Sequence, residues 1–223
     1  MKLCLYTYKI KNFILDILFP IKCLNCNKSN DILCENCIFT IRRTERETQK
    51  DIYAIFDYRD KIIKKVIWEL KYYHKRYLGE KLGQLMYEDF IEEISELKTI
   101  VSGRPILVLP VPISIKKTKT RGYNQSLVIA KWFCNYAPIG TFELQDKIIF
   151  KKIETIPQAK IHNRKKRLEN IYDVFEIKNK ELIKGRTIII IDDVTTTGGT
   201  INEIIRILKK AGAKKVIGFA IAH

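Results

Sequence analysis

The sequence predicts an α/β fold in which helices cover both faces of a parallel sheet, with a small cysteine-rich module in front of it. Two apolar runs, residues 187–191 and 216–222, predict buried strands, and the segment between them repeats apolar residues at helical spacing. A strand, a helix and a second strand of this kind form a βαβ unit, whose strands are parallel and buried on both faces. Two Cys-x-x-Cys pairs near the N-terminus predict the module.

Length and composition exclude several classes of protein. The chain has 223 residues, of which 46% are hydrophobic, with 10 glycines and 6 prolines, and this excludes collagen-like, low-complexity and wholly disordered chains. Its 41 lysines and arginines exceed its 25 aspartates and glutamates by 16. Such an excess favours polyanionic partners, namely nucleic acid, phosphorylated ligands or acidic membrane surfaces. A lysine-rich surface that only increases solubility is the alternative interpretation.

The first 20 residues are apolar but interrupted by Lys9, Lys11 and Asp16. We therefore predict neither a membrane span nor a signal peptide there, and we expect a cytoplasmic protein. Apolar residues recur at helical spacing and predict a short amphipathic helix that ends at Pro20. We expect this helix to dock on the main domain, and attachment to a membrane surface is the alternative. The recurring residues are Phe13, Ile14, Ile17 and Leu18.

Four cysteines lie in one short segment as two Cys-x-x-Cys pairs that are separated by seven residues. Two such pairs can place four sulfurs about 2.3 Å from one metal ion and complete a closed tetrahedron, which indicates a structural zinc ion in a small ribbon or knuckle. Two disulfides are the alternative, and they would need an oxidising compartment. The predicted zinc ligands are Cys23, Cys26, Cys34 and Cys37.

The remaining elements follow one another along a larger domain. The polar segment 41–51 predicts a linker, so we place the zinc module at residues 1–45 and the α/β domain at residues 52–223. Periodic apolar residues predict helices, and unbroken apolar runs predict strands. In chain order these are helices near 62–70 and 78–94, a strand at 106–109 that ends at two prolines, a helix at 126–133, a strand at 187–191, a helix at 201–208 and a strand at 216–222.

The segment that follows the strand at 187–191 carries the most informative motif. Asp192 and Asp193 stand at the carboxyl end of this strand, where open α/β sheets bind ligands, and a turn rich in threonine and glycine leads from them into a helix. The backbone amides of such a turn, the threonine hydroxyls and the helix N-terminus form a cradle for a monophosphate. The carboxylates would repel that phosphate unless they face sugar hydroxyls, with a divalent cation nearby. A ribose 5-phosphate satisfies both groups, and an ordinary βα turn with capping threonines is the alternative.

The same residues resemble the type I phosphoribosyltransferases. In that family the motif for 5-phosphoribosyl 1-pyrophosphate (PRPP) has four apolar residues, two acids and a turn containing Thr-Thr-Gly. The resemblance implies a type I phosphoribosyltransferase-like parallel sheet flanked by helices, Mg²⁺ bound together with PRPP, and catalytic roles for Asp192 and Asp193. The implied PRPP contacts are Asp192, Asp193, Val194, Thr195, Thr196, Thr197, Gly198, Gly199 and Thr200. The chain contains neither a G-x-x-x-x-G-K-[ST] nor a G-x-G-x-x-G motif.

Further segments resemble the ComF family of bacterial competence proteins. These are Leu-Pro-Val-Pro at 109–112, Arg-Gly-Tyr-Asn-Gln-Ser at 121–126, Thr-Ile-Pro-Gln-Ala at 155–159 and the double Cys-x-x-Cys. The resemblance covers nearly the whole chain. It implies a zinc module joined to a phosphoribosyltransferase fold, a role in DNA uptake during natural transformation, and other competence proteins, such as a DNA-uptake helicase, as partners.

The resemblance also assigns roles to two segments before the acid pair. The turn at 110–114 would receive pyrophosphate, with Val111 and Pro112 among its contacts, and the basic segment 116–125 would be a mobile hood that closes over PRPP. Arg121 would contact pyrophosphate, because a guanidinium can pair with two phosphate oxygens. Lys71, after the first predicted helix of the domain, is a further candidate for the phosphates.

Positive charge is concentrated in two stretches, 103–136 and 147–170, which carry 12 of the 16 net charges. If these stretches converge in the fold, they predict a face that binds single-stranded DNA, with an aromatic ring stacking on bases. A solvated basic surface is the alternative. The predicted nucleic-acid contacts are Lys116, Lys117, Lys119, Arg121, Tyr123, Arg164, Lys165, Lys166 and Arg167.

Three functions remain open on the sequence alone. A competence protein that binds PRPP and single-stranded DNA fits the resemblance to the ComF family. An active phosphoribosyltransferase would displace pyrophosphate from the anomeric carbon of PRPP through positioning and electrostatics, without a nucleophile triad. A salvage phosphoribosyltransferase for a purine or pyrimidine is the third, although that chemistry does not require a zinc module. No segment identifies the acceptor.

Overall fold

The computed structural model describes residues 21–73, 75, 77–101, 103–152 and 174–223. The chain divides into two compact units, Met1–Ile41 and Arg42–His223. The helix predicted at 13–20 lies outside the described residues, as does most of the basic stretch 147–170. Among the helices that the structure describes, none is long and apolar enough to cross a membrane. We keep the domain boundaries expected from the sequence, 1–45 and 52–223, as a proposal.

The first unit is built around its cysteines. Lys22 and Ser29 form an antiparallel bridge, and helix α1 (Glu35–Thr40) begins directly after Cys34. Asn27 and Asn30 have left-handed backbone conformations, with φ angles of 62° and 71°. Asparagine tolerates this conformation better than most residues, because its short polar side chain can bond locally. The chain can therefore reverse direction between the two cysteine pairs.

Six strands of the second unit form one sheet. They are β1 (Glu47–Gln49), β2 (Ile52–Phe56), β3 (Ile106–Pro110), β4 (Phe142–Leu144), β7 (Thr187–Val194) and β8 (Lys215–Ala222). Their order is β1-β2-β8-β7-β3-β4, and only the edge pair β1 and β2 is antiparallel. The predicted parallel sheet is thus confirmed. Two further strands, β5 (Ile149–Lys151) and β6 (Phe175–Ile177), form a separate antiparallel pair.

Helices cover both faces of the sheet, as the sequence predicts. They are α2 (Lys61–Tyr72), α3 (Leu78–Asp89), α4 (Ile91–Ile100), α5 (Ile115–Arg121), α6 (Gln125–Tyr136) and α7 (Gly199–Lys210), with a short 3₁₀ turn at Lys180–Leu182. On one face, Ile201 and Ile204 of α7 belong to the same buried cluster as Ile190 of β7. On the other face, the ring of Phe133 in α6 meets that of Phe219 in β8, with 6.1 Å between centroids.

The apolar repeat at 78–94 forms two helices, whereas the sequence predicts one. Phe90 has a φ of −103° and a ψ of 23°, and it ends α3 and begins α4. Its ring is fully buried and stacks on Phe219, with the ring centroids 4.2 Å apart. Leu82 and Ile94, on either side of this bend, are also buried. One apolar pattern therefore runs through both helices, and periodicity alone does not show the bend.

The segment 41–51 is more than a linker, although its polar composition predicts only a linker. It contains β1, and before that the Thr44 N–H donates a hydrogen bond of 3.2 Å to the Ile55 carbonyl. β1 is an edge strand whose side chains are exposed or half-buried, so its sequence lacks the apolar pattern of a central strand. The last residue of β1, Gln49, contacts the loop that follows β7.

Candidate functional site

The two predicted acids lie at the carboxyl end of the central strand. Asp192 and Asp193 are the sixth and seventh residues of β7, which lies between β8 and β3, and both side chains are buried. In open α/β sheets this edge is where ligands bind. The structure therefore places the acid pair at the position that the sequence predicts for it.

Asp192 is held by two hydrogen-bond donors. Its Oδ1 accepts a bond of 3.0 Å from the Ser126 hydroxyl and a bond of 2.9 Å from the Asp193 backbone N–H. Burial, and after it the negative charge of Asp193, raises the pKa of Asp192 to about 7. The cause is that a low-dielectric environment and a neighbouring carboxylate both disfavour the charged form. Asp192 is therefore poised to gain or lose a proton near neutral pH.

Asp193 forms an ion pair with Lys71. The Nζ of Lys71, near the C-terminal end of α2, lies 2.8 Å from Oδ2 of Asp193, and both side chains are largely shielded from solvent. Burial on its own favours the neutral amine, but the charges of Asp193 and Asp192 outweigh it and raise the pKa of Lys71. Lys71 is thus at the site, as the sequence suggested, but its partner is a carboxylate of this chain.

The loop after the acid pair has the backbone of an anion cradle. Gly198, which precedes α7, has a φ of +66°, a conformation that disfavours a side chain. The first N–H groups of a helix have no partner within the helix, and the helix dipole makes this end positive. The Thr197 hydroxyl oxygen is buried and has no hydrogen-bond partner in the described part of the chain. These groups can receive the oxygens of a phosphate.

Gln49 holds this loop from the edge of the sheet. Its Nε2 donates a bond of 2.8 Å to the Thr197 carbonyl, and its Oε1 accepts a bond of 2.8 Å from Asn202. A Cβ at Gly198 would lie 2.2 Å from Oε1 of Gln49, so the contact also requires a glycine there. The sequence does not mark Gln49 as a residue of the site, because Gln49 lies in the polar segment 41–51, whose composition predicts a linker.

The end of β3 adjoins the acid pair, because β3 and β7 are neighbours. Val111 is buried, and its N–H donates a bond of 2.9 Å to the Ile191 carbonyl. Pro112 has no N–H. In this conformation neither residue can offer an amide to pyrophosphate, so the predicted contacts at Val111 and Pro112 would have to use other groups.

The basic segment expected to form a mobile hood contains a helix, α5. Ser114 caps this helix by accepting a bond of 3.3 Å from the Lys117 N–H. Lys116 and Lys119 are exposed, whereas Lys117 is half-buried. Burial, and then the positive charges of Arg121 and Lys71, lowers the pKa of Lys117. Lys117 is therefore near enough to Lys71, the partner of Asp193, to be affected by its charge.

Arg121 is engaged by side chains of two other helices. Its guanidinium carbon lies 5.1 Å from the centroid of the Tyr72 ring, and Nη2 donates a bond of 3.2 Å to the Tyr72 hydroxyl. Its Nη1 donates a bond of 3.1 Å to Oε1 of Gln125. Arg121, the predicted pyrophosphate contact, thus has its guanidinium stacked on an aromatic ring in this structure.

The prediction that Tyr123 stacks on nucleic-acid bases is wrong. Only 8% of Tyr123 is exposed, and its hydroxyl donates a hydrogen bond to the Leu70 carbonyl. The ring packs inside the fold because a tyrosine can bury its apolar body while its hydroxyl finds a partner. Arg164, Lys165, Lys166 and Arg167, from the second basic stretch, lie outside the described residues.

The four cysteines of the first unit converge. The Sγ atoms of Cys23, Cys26, Cys34 and Cys37 all lie within 4.8 Å of one another and can hold a metal ion. No disulfide joins them, and the Sγ atoms of Cys26 and Cys34 are 3.6 Å apart. Asn25 donates a bond of 3.4 Å to the Cys37 sulfur. The cluster is consistent with a zinc module.

Comparison with known proteins finds a phosphoribosyl transferase domain and relatives that are competence proteins. Residues 151–223 match the phosphoribosyl transferase domain family. The chain is 24% identical to competence protein F from Haemophilus influenzae over 192 residues, which are 85% of this chain and 78% of that protein. It is 29% identical to competence protein ComFC from Streptococcus pneumoniae over 206 residues, 90% of this chain and 80% of that protein. The chain is thus similar over most of its length to competence proteins, and its C-terminal third matches a phosphoribosyl transferase domain.

A shorter similarity joins this chain to an enzyme. Over 90 residues, 40% of this chain and 52% of the relative, it is 42% identical to adenine phosphoribosyltransferase from Mycoplasmopsis agalactiae. The domain match at 151–223 contains β7, the loop and α7. Gln49, Lys71 and Ser126 lie outside that match, so the contacts that support the acid pair and the loop come from other parts of the chain.

We expect the free energy of unfolding of Asp192→Asn, relative to that of the wild-type protein, to rise between pH 5 and pH 8. The folded pKa of Asp192 is raised to about 7 from an ordinary value of 3.8, so up to about pH 7 the folded protein keeps a proton that the unfolded chain has lost. Wild-type stability therefore decreases as pH rises through the interval, and an asparagine removes that contribution. Urea denaturation at each pH measures it. Asp146→Asn, at an exposed position, is the control for losing one carboxylate.

Proposed function

We propose that this protein is a member of the ComF family that acts in DNA uptake during natural transformation, binds PRPP at the carboxyl end of β7, and binds single-stranded DNA on an adjoining basic surface. The names of its relatives, competence protein F and competence protein ComFC, support the role in transformation. The acid pair followed by the threonine- and glycine-rich loop carries the PRPP proposal. The cations of α5 support the proposal for DNA.

The arrangement at β7 fits the two ends of a ribose 5-phosphate. The loop at 195–200 offers hydroxyls, amides and the N-terminus of α7 to the phosphate, and the buried hydroxyl of Thr197 has no other partner among the described residues. Asp192 and Asp193 can accept hydrogen bonds from the ribose hydroxyls. The ion pair of Asp193 with Lys71 neutralises one carboxylate, and this limits its repulsion of an anionic ligand.

The pyrophosphate of PRPP would lie toward α2 and α5. Lys71 and Lys117 are near enough to the acid pair for each to feel its charges, and they supply the cations that pyrophosphate needs. Mg²⁺ would neutralise the pyrophosphate as a leaving group. Carboxylate oxygens are the hard donors that suit this ion, so Asp192 and Asp193 fit its presence.

Transfer of the phosphoribosyl group to an acceptor, with release of pyrophosphate, is the second candidate function, favoured by the similarity to adenine phosphoribosyltransferase. In that reaction the bond between the anomeric carbon and pyrophosphate would break, pyrophosphate would leave with the electron pair, and the acceptor would supply the electrons of the new bond. The acids would hold the ribose through its hydroxyls and stabilise the positive charge that develops on the sugar ring.

Changing both acids to alanine should abolish PRPP binding. Each carboxylate is expected to accept a hydrogen bond from the ligand, and the loss of one charged hydrogen bond already weakens binding by about tenfold or more. A thermal shift in PRPP and Mg²⁺ measures binding, and pyrophosphate release over a panel of acceptors measures turnover. Thr197→Val, which removes only the buried hydroxyl of the cradle, is a second variant in case the double variant does not fold.

The matched control for the acid pair is the double variant Asp146→Ala, Glu176→Ala, whose side chains are exposed and far along the chain from the loop. It should bind PRPP like the wild-type protein. Unchanged PRPP affinity in both the acid-pair variant and Thr197→Val would refute this site. Binding without pyrophosphate release for any acceptor would favour a protein that senses PRPP over an enzyme.

We also propose one structural zinc ion per chain, held by the four cysteines. In a reducing compartment such as the cytoplasm expected from the sequence, the sulfurs remain available as thiolates. Cys37→Ser should unfold the first unit and leave the α/β unit folded, because the two are separate compact units. Elemental analysis of protein purified without chelator should give one zinc per chain. A disulfide between these cysteines, or no metal, would contradict the proposal.

Charge reversal on α5 should weaken binding of single-stranded DNA. The variant Lys116→Glu, Lys117→Glu, Lys119→Glu removes three cations from one helix, so the salt dependence of the affinity should flatten. For a single strand the logarithm of affinity falls with the logarithm of salt concentration by about 0.7 per phosphate neutralised. Fluorescence anisotropy with a labelled oligonucleotide at several salt concentrations gives both quantities.

The control for this measurement is the variant Lys178→Glu, Lys180→Glu, Lys184→Glu, which makes the same change of net charge at exposed positions before β7. It should lose much less affinity than the variant of α5. If both lose equally, net charge alone attracts DNA and α5 is not a localised site.

A further inference from the structure

The exposed face of α2 carries an unbroken stripe of cations and aromatic rings. Its members lie within about 100° of the helix circumference, since an α-helix has 3.6 residues per turn. They are Lys61, Lys64, Lys65, Trp68 and Tyr72, and all of them are exposed. The opposite face packs into the core through Ile63, Val66, Ile67 and Leu70. Core packing of α2 therefore does not require any residue of this stripe, which contains no acid.

Aromatic rings cluster at the C-terminal end of the stripe. The ring centroid of Trp68 lies 5.7 Å from that of Tyr72 and 5.1 Å from that of Tyr73. The three residues are 51%, 49% and 55% exposed, respectively. Three large rings, of which Trp68 contacts the other two and each is about half exposed, form an apolar patch that soluble proteins usually keep for a partner.

The cluster is continuous with the candidate PRPP site. Tyr72 follows Lys71, the partner of Asp193, and its ring and hydroxyl hold Arg121 at the end of α5. Arg121 in turn lies close enough to Lys117 to lower its pKa. Cations thus lie on both sides of the rings, along the stripe of α2 and along α5. The acid on α2, Glu69, is paired with Lys75, whose Nζ is 2.9 Å away.

We propose that the stripe on α2 is a platform for single-stranded DNA, on which an unpaired base stacks against Trp68 while Lys61, Lys64 and Lys65 bind the phosphates. This inference rests on the DNA binding proposed above and names the surface that carries it. Aromatic rings next to cations fit a single strand, whose bases present their faces, whereas a duplex hides them. The charge also selects the partner, because the stripe carries three lysines and would repel a basic partner.

The decisive variant is Trp68→Ala, with Trp68→Phe as the rescue and Tyr136→Ala as the control. Tyr136 is a partly exposed ring on α6, outside the stripe. Binding of a labelled oligo-dT should weaken about fivefold or more in Trp68→Ala, as expected when one stacking ring is lost, and Trp68→Phe should recover most of the affinity. The salt dependence should stay unchanged in Trp68→Ala, because no charge is lost. Tyr136→Ala should bind like the wild-type protein.

The fluorescence of Trp68 measures the contact between this ring and DNA bases directly. The chain has two tryptophans, so Trp132→Phe leaves Trp68 as the sole tryptophan, whose emission can be excited selectively over that of the tyrosines. Oligo-dT should quench this fluorescence, and a duplex at the same phosphate concentration should quench it much less. The difference between wild-type and Trp68→Phe spectra gives the same information without altering Trp132. DNA binding by anisotropy with no change in Trp68 emission would overturn the proposal.

Three further outcomes separate this inference from the proposed function. If oligo-dT binds and Trp68→Ala and Tyr136→Ala lose affinity equally, the platform is wrong and DNA binding stands. If the wild-type protein binds no oligo-dT, both fail, whereas the PRPP thermal shift remains an independent measurement that Trp68→Ala should leave unchanged. If Trp68 emission responds to vesicles of acidic phospholipid and not to oligo-dT, the stripe is a membrane surface and the proposal is refuted.

Discussion

Two adjacent carboxylates at the end of a buried strand are the constraint on which the rest of the site depends. β7 is flanked by β8 and β3, and the side chains of Asp192 and Asp193 at its end are buried. Burial and mutual repulsion both oppose their charged forms. The compensating groups come from outside β7, since the hydroxyl of Ser126 is on α6 and the ammonium of Lys71 is on α2. The acid pair therefore requires that the C-terminal end of α2 and the N-terminal end of α6 lie beside the end of β7.

The loop after the acid pair is set in place by close contacts on both of its sides. Gln49 binds the Thr197 carbonyl from the sheet edge, and it leaves room only for a glycine at position 198. Behind the loop, a Cβ at Gly218 would lie 2.4 Å from Cγ2 of Ile201, so glycine there lets the first turn of α7 approach β8. The position of the helix N-terminus thus follows from backbone contacts, and threonines and amides can point away from the sheet toward a ligand.

How far the sequence predicts this protein differs between its parts. The parallel sheet, the acid pair and the four cysteines are local patterns, namely an apolar run, a pair of acids at its end and a repeated spacing, and the structure shows each of them. Gln49 and Ser126 act across 148 and 66 positions of the chain, and no local pattern marks such a partner. Local sequence also does not predict whether a side chain is exposed, as Tyr123 and Trp68 show. Tyr123 stands among cations in the turn between α5 and α6 and is buried. Trp68 is exposed, because the orientation of α2 relative to the sheet decides which of its faces meets solvent.

The last turn of α2 joins the candidate PRPP site to the aromatic stripe. Successive residues of a helix are rotated by about 100°, so Lys71 can reach inward to Asp193 while Tyr72 faces outward beneath Arg121. Any shift of α2 that releases Lys71 from the acid also moves the ring on which the guanidinium rests. Both proposed surfaces would select anions through the cations that α2 and α5 present. The two ligand surfaces are therefore linked through one helix end, and the geometry of this turn sets the distance between them.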